Sequence, residues 1–319
     1  MRSEYDYENT ILCYYKIEFI FFIILIMMSK QLRQRWKEEY SKEWFQFILD
    51  NPNKHWEYDW LSENPNITWE IVKNNPQINW SYKYLSENPN ITWEIVKNNP
   101  QIEWDYSELS LNPNITWDII EKNQDKNWDY VYLSENPNIT LEIVKNNPQI
   151  NWCYISLSFN RNITWEIVQN NHELEWNYSV LSENPNITWE IVQNNPQINW
   201  SYRYLSRNQN ITWEIVQNNQ ELDWNYGELL QNPNITWEIV QMTKQFNNRA
   251  FALSCNPNIT WDIVQNNPEL EWNFWGLSEN SMTKQFNDYM KKKEELYNIA
   301  YKIIDRYTNR DIADMIMIF

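Results

Sequence analysis

The 319-residue chain carries a formal net charge of −17, 42% hydrophobic residues, two glycines and three cysteines. Each flank, 1–42 and 283–319, holds one basic group in excess, so residues 43–282 carry about −19, a balance that repels phosphate and disfavours nucleic acid and anionic membrane surfaces. Two glycines exclude a phosphate-cradling loop, and Cys13, Cys153 and Cys255 share no zinc or redox spacing, so they read as free thiols of a reducing compartment.

Residues 11–28 are mostly apolar, but Lys16 and Glu18 interrupt them. The uninterrupted stretch Phe19–Met28 would span roughly 15 Å as a helix, about half of a hydrocarbon layer. Glu4, Asp6 and Glu8 outnumber Arg2, the wrong balance for a secretory signal. Three readings of residues 1–28 stand: a membrane anchor, a helix packed on the rest of the chain, or upstream sequence preceding a start at Met27 or Met28. Residues 29–42, with Trp36 and Tyr40, read as an N-terminal cap.

From residue 43 to 282 the chain repeats every 24 residues, ten times. The string Asn-Pro-Asn-Ile-Thr-Trp marks the period, with its isoleucine at Ile67, Ile91, Ile115, Ile139, Ile163, Ile187, Ile211, Ile235 and Ile259 in the regular units. Such self-similarity predicts a stacked array in which each unit contacts its neighbours. Prolines in two phases, such as Pro76 and Pro89, cut each unit into two short segments.

The first segment, from Ile67 to Asn75, predicts a helix capped by Thr68 and stapled by Ile67 and Val72, with Glu70 in its first turn. The second has the same grammar: Trp80 at the staple, Ser81 at the cap, and Tyr82 and Leu85 on one face. Helices this short need tertiary burial to persist, so Ile67, Trp69, Ile71, Val72, Ile78, Trp80, Tyr82 and Leu85 are expected to pack against adjacent units. The resulting all-α solenoid of ten two-helix repeats would be a rod or superhelix on the order of 100 Å long. A leucine-rich-repeat-like horseshoe is the alternative, because its period includes 24 and Leu-Ser-Glu-Asn resembles its leucine and asparagine positions.

Seventeen of 21 tryptophans occupy the Trp69 and Trp80 phases, which favours a core stack over an aromatic groove for proline-rich peptide or sugar. The asparagine of Leu-Ser-Glu-Asn is present in all ten units and predicts an amide ladder that satisfies turn backbone. Residues 283–319 abandon the repeat, and Leu296, Ile299, Ile303 and Tyr307 line up as the stripe of a C-terminal capping helix. The peptide Met-Thr-Lys-Gln-Phe-Asn occurs at Met242 and again at Met282.

No catalytic, cofactor or metal constellation stands out. His55 and His172 lie five units apart, and the acidic residues sit where capping explains them. The chain is therefore expected to be no enzyme and to need no cofactor. Variation between units carries more information. Positions 59–60 and their equivalents change from unit to unit, as does the position of Glu63, Leu111, Phe159, Arg207 and Gln231. Tyr84, Glu108, Tyr132, Tyr204 and Glu228 are accordingly the candidate partner-binding residues, suited to a basic or amphipathic protein segment.

The unit Asn-Pro-Asn-Ile-Thr-Trp-Glu-Ile-Val, with Asn-Asn-Pro-Gln-Ile-Asn-Trp and Leu-Ser-Glu-Asn, resembles the tandem-repeat proteins of giant, mimivirus-like DNA viruses of protists. The likeness covers about 43–282 and departs at Arg161, Gln209 and Ser281, where proline is missing. It implies a viral, host-interacting protein and supplies no catalytic residue. The expected function is a non-enzymatic protein-interaction scaffold in the host cytoplasm. The alternative is a structural virion component, or one tethered to a membrane through residues 11–28.

Overall fold

A computed structural model describes residues 30–246 and 249–316. Residues 1–28, with the three readings attached to them and Cys13, lie outside the described residues, among which no helix is long and apolar enough to cross a membrane. Every regular element is helical, and the horseshoe, which needs one strand per unit, is excluded for the described residues. The chain divides into two compact units, Met1–Trp44 with Phe286–Phe319, and Phe45–Gln285.

In the first of these, helical residues 30–44 run antiparallel to the helix Thr283–Ile316. Tyr40, 2% exposed, meets the rings of Phe286 and Tyr289 at 5.2 and 5.4 Å, and Trp36 meets Tyr297 edge-on. Glu39 pairs with Lys293 and Arg33 with Glu294, both at 2.9 Å. The packing face therefore runs through Phe286, Tyr289 and Tyr297. Of the stripe expected from the sequence, Leu296 and Ile299 lie off this face, both 56% exposed, and the side chains of Ile303 and Tyr307 lie outside the described ones.

In Phe45–Gln285 each repeat contributes two helices of about one and a half turns, a Trp helix such as Trp69–Asn74 and a Tyr helix such as Tyr82–Glu87. Thr68 Oγ1 accepts the Ile71 N–H at 3.3 Å, the expected cap, and Asp105, Asp129, Asn177, Ser201, Asn225 and Asn273 cap their Tyr helices likewise, whereas Ser81, expected to cap Tyr82–Glu87, stands at the N-cap without a side-chain cap bond. Proline follows five of the Trp helices, as Pro76 follows Trp69–Asn74, but Trp117–Lys122, Trp165–Asn170, Trp213–Asn218 and Trp237–Met242 end at the same length without one. Leu85, Leu109, Leu133 and their equivalents are fully buried, each removing apolar surface that stabilises by roughly 1.5–3 kcal/mol.

The tryptophans divide. Trp80 and its equivalents from Trp56 to Trp224 are 5–8% exposed, and the indole of Trp80 donates to the Asn75 carbonyl at 3.0 Å. Trp69 is half-buried and tilts over Trp104 of the following unit, with ring centroids 5.8 Å apart. Tyr82 also departs from expectation. It is 39% exposed and meets Trp104 only in a T-shaped contact at 6.1 Å.

Three hydrogen-bond ladders join neighbouring units. Asn88 Nδ2 donates to the carbonyls of Ser62 and Asn64, at 2.8 and 3.0 Å, and the amide ladder expected from the sequence recurs through Asn280. Ser62 Oγ donates to the Tyr58 carbonyl and accepts the Ser81 N–H. Asn90 Nδ2 donates to the carbonyls of Pro65 and Ile67. The Asn88 amide is buried, and leaving its partners unpaired would cost about 1–3 kcal/mol, whereas the Asn90 bond to Pro65 is exposed.

All three ladders close on themselves. Asn64 donates to the carbonyls of Ser278 and Asn280, the Glu57 N–H donates to Ser278 Oγ, and Asn66 donates to the Ser281 carbonyl. The aromatic contacts close too, with Trp261 on Trp56 at 5.9 Å and Phe274 on Trp56 at 5.0 Å. The ten repeats therefore form a ring, and the extended rod expected from the sequence is corrected. The physical reason is a wedge. Tyr helices pack directly on their neighbours, and Phe274–Glu279 packs in the same way on Tyr58–Glu63. No two Trp helices approach so closely among the described residues, since tryptophan rings stand between them. Short spacing on one side and long spacing on the other curve the array, with the Tyr helices inside.

The duplicated hexapeptide has a shared role. Phe246 of the first copy is 3% exposed and takes the place of a Trp80-type ring, against Trp213 and Tyr226. Phe286 of the second inserts beside Tyr40. Each copy delivers its phenylalanine to an aromatic cluster.

Candidate interaction face

The positions that vary between units sit on the inner side of the ring. Two features place them there. They lie on the closely spaced Tyr helices, and their side chains reach past the adjacent unit to the next but one. Phe159 meets Tyr204 at 6.3 Å, and Trp60 meets Phe251 at 6.2 Å, each pair skipping a unit. Such contacts are natural where the radius is small.

The five residues singled out in the sequence all fall on this face, but they divide into two kinds. Tyr132 is 37% exposed, while Tyr84 and Tyr204 are half-buried with accessible rings. Glu108 and Glu228 are each only 8% exposed and engaged within the ring. Lys83 pairs with Glu108 at 3.3 Å and lies 5.4 Å from the centre of the Tyr84 ring. Arg203 and Arg207 hold the two oxygens of Glu228 at 3.0 and 2.6 Å. These acids are joint-to-joint ties, so only the three tyrosines offer a free surface. Between them Val131 and Ile155 add apolar area, at 47% and 53% exposure.

The third variable position adds a second component to this face. Counting by 24 from Glu63 gives Glu87, Leu111, Glu135, Phe159, Glu183, Arg207, Gln231, Cys255 and Glu279. Five carboxylates thus line the inner side against one arginine. Partial burial raises the carboxyls of Glu63, Glu135 and Glu183 above their ordinary range. Glu87 goes furthest, to about 7, first through burial and then through repulsion from Glu63, Glu108 and Glu135. Glu63 also feels Glu279 across the joint between the last unit and the first. The signal in the sequence was glutamate retained at half of one otherwise variable phase, and only curvature turns that phase into a cluster.

The carboxylates are distributed one per unit. Among the described residues no three His, Cys, Asp or Glu side chains converge in a way that could hold a metal. His55 and His172 are exposed outside the helices, His172 in a turn. Burial and Glu279, whose carboxylate accepts from Sγ at 3.5 Å, push the Cys255 thiol well up, the opposite of an activated nucleophile. No family model matches this chain, and no curated protein or solved structure is significantly similar to it.

Proposed function

We propose that the ring is a non-enzymatic protein-interaction scaffold whose inner face takes a basic or amphipathic protein segment. The observation that carries this reading is the pairing, on one concave face, of accessible Tyr84, Tyr132 and Tyr204 with a row of partly desolvated carboxylates. A lysine or arginine brought to Glu87 would relieve its repulsion from neighbouring acids, and aromatic rings would cover the stem of the incoming side chain. The acidic array would repel duplex DNA and nucleotides.

With the sequence's resemblance to giant-virus repeat proteins, the proposal extends to a viral protein acting on a host partner in the host cytoplasm. The test uses two synthetic amphipathic peptides of equal hydrophobicity, one lysine-rich and one glutamate-rich. The full chain is expected to bind the basic peptide, more weakly as salt rises. The triple variant Tyr84→Ala, Tyr132→Ala, Tyr204→Ala should lose that binding while keeping its circular dichroism. Equal binding of both peptides, or binding untouched by the triple variant, would remove the inner face as the site.

A further inference from the structure

One joint of the ring departs from the other nine. At seven joints a tyrosine sets its edge against the tryptophan of the next unit, as Tyr58 does on Trp80 at 6.4 Å and Tyr202 on Trp224 at 5.3 Å. Tyr226 meets Phe246 at the eighth, and Phe274 meets Trp56 where the ring closes. At the remaining joint the tyrosine phase holds Ala250, and the ring it should cover is Trp272.

The consequences are visible around it. Trp56, Trp80, Trp104, Trp128, Trp152, Trp176, Trp200 and Trp224 are all buried, whereas Trp272 is only half-buried. The cavity beside Trp272 measures about 730 Å³, against about 320 and 360 Å³ for the equivalent grooves in front of Trp80 and Trp200, where Tyr82 and Tyr202 are present. Its lining joins the apolar Trp237, Phe246, Leu253, Leu270 and Trp272 to a polar set that includes Arg249 and Glu269. Phe246 and Leu253 are 3% and 8% exposed, so these walls are built into the core. Neighbouring substitutions fall at the same place. Leu230 stands where most units have the ladder serine, and Arg249 stands where the Tyr-helix cap would be.

From this we infer that the cavity beside Ala250 is a binding site for a phenolic ring, supplied by a tyrosine side chain of a protein partner. The seven intact joints define the guest: a ring of this size, edge toward tryptophan, with its hydroxyl free to reach solvent. A recess that sets these apolar side chains among the polar Gln241, Arg249, Asn267, Glu269 and Glu271 suits a ring that is apolar along its body and polar at one tip. The source of the ring rests on the protein-scaffold reading, while the cavity itself does not.

The experiment uses the full chain with p-cresol and N-acetyltyrosinamide as probes, followed by saturation-transfer NMR. Two variants accompany it. Ala250→Tyr restores the side chain that the repeat carries elsewhere and should fold at least as well as the parent, and Ala250→Ser leaves the cavity open. Both probes are expected to bind the parent and Ala250→Ser in the millimolar range, and at least about tenfold more weakly to Ala250→Tyr. Failure of p-cresol to bind, or equal binding to Ala250→Tyr, overturns the site. Binding of p-cresol without N-acetyltyrosinamide overturns the protein source of the ring. Neither result depends on the basic peptide, so failure here and failure of the inner-face proposal are separable.

Discussion

Asn64 Nδ2 donates to the Ser278 carbonyl at 2.8 Å across 214 positions of sequence. The same bond joins Asn88 to Ser62 across 26. The two bonds are equal in length, so the Asn64 ladder is as complete between the first and last units as inside the array. Open solenoids have ends that fray; a ring made this way has none.

This equivalence makes a quantitative expectation. Asn64→Ala and Asn136→Ala should each destabilise by about 1–3 kcal/mol, because each leaves buried carbonyls unpaired. Urea titration of the two variants checks it. An Asn64→Ala cost near zero beside a full cost for Asn136→Ala would mean an array open in solution.

Leu133 is fully buried between units. Leu133→Ala should cost about 2–5 kcal/mol, the range of a transfer term plus an unfilled cavity. The same measurement on Tyr82→Ala, where the ring is 39% exposed, should give a smaller loss. Equal losses would contradict the division between core and rim.

The stability of the ring should fall as pH rises through the range between 4.5 and about 7. Glu87 holds its proton more tightly in the folded state than in the unfolded chain, so the folded state binds more protons across that window. Ionisation therefore works against the fold, and the stabilising contribution is complete below 4.5 and gone above about 7. Glu87→Gln should be more stable than the parent at pH 8 and match it at pH 4. Thermal melts at both values decide; no difference at pH 8 would place Glu87 in ordinary solvent.

Glu228 sits between Arg203 and Arg207 with 11% of its side chain exposed. Glu228→Lys would bring three cations together and should cost on the order of 1–3 kcal/mol, discounted because Arg203 is well exposed. A neutral result in denaturant titration would show these pairs to be surface ornaments.

Much of one unit was legible in the sequence, because its determinants are local. Thr68 caps, and the phases of Leu85 and Trp80 name the core directly. The asparagine ladder was legible as well, since one amide present in every unit needs a partner in every unit. Closure was not. It depends on a small angle per joint, set by the difference between serine and asparagine rungs on one side and tryptophan rings on the other, and no single residue encodes that difference. The inner face was half legible for the same reason: variability marked Tyr84, Tyr132 and Tyr204, but only curvature brings Glu63, Glu87 and Glu279 into one field. Glu108 and Glu228 illustrate a separate failure. They vary because a partner on the neighbouring unit varies with them, as Lys83 and Arg203 do.

The closed ring also restricts the gene. Tandem repeats ordinarily gain and lose units by unequal recombination, and an open array accepts each change by growing or shrinking at no cost to its other joints. Here a full turn is divided among ten joints, so an eleventh unit, or the loss of one, would ask every remaining joint to bend by a different amount or would leave the first and last unmated. Copy number becomes a property under selection rather than a drifting one.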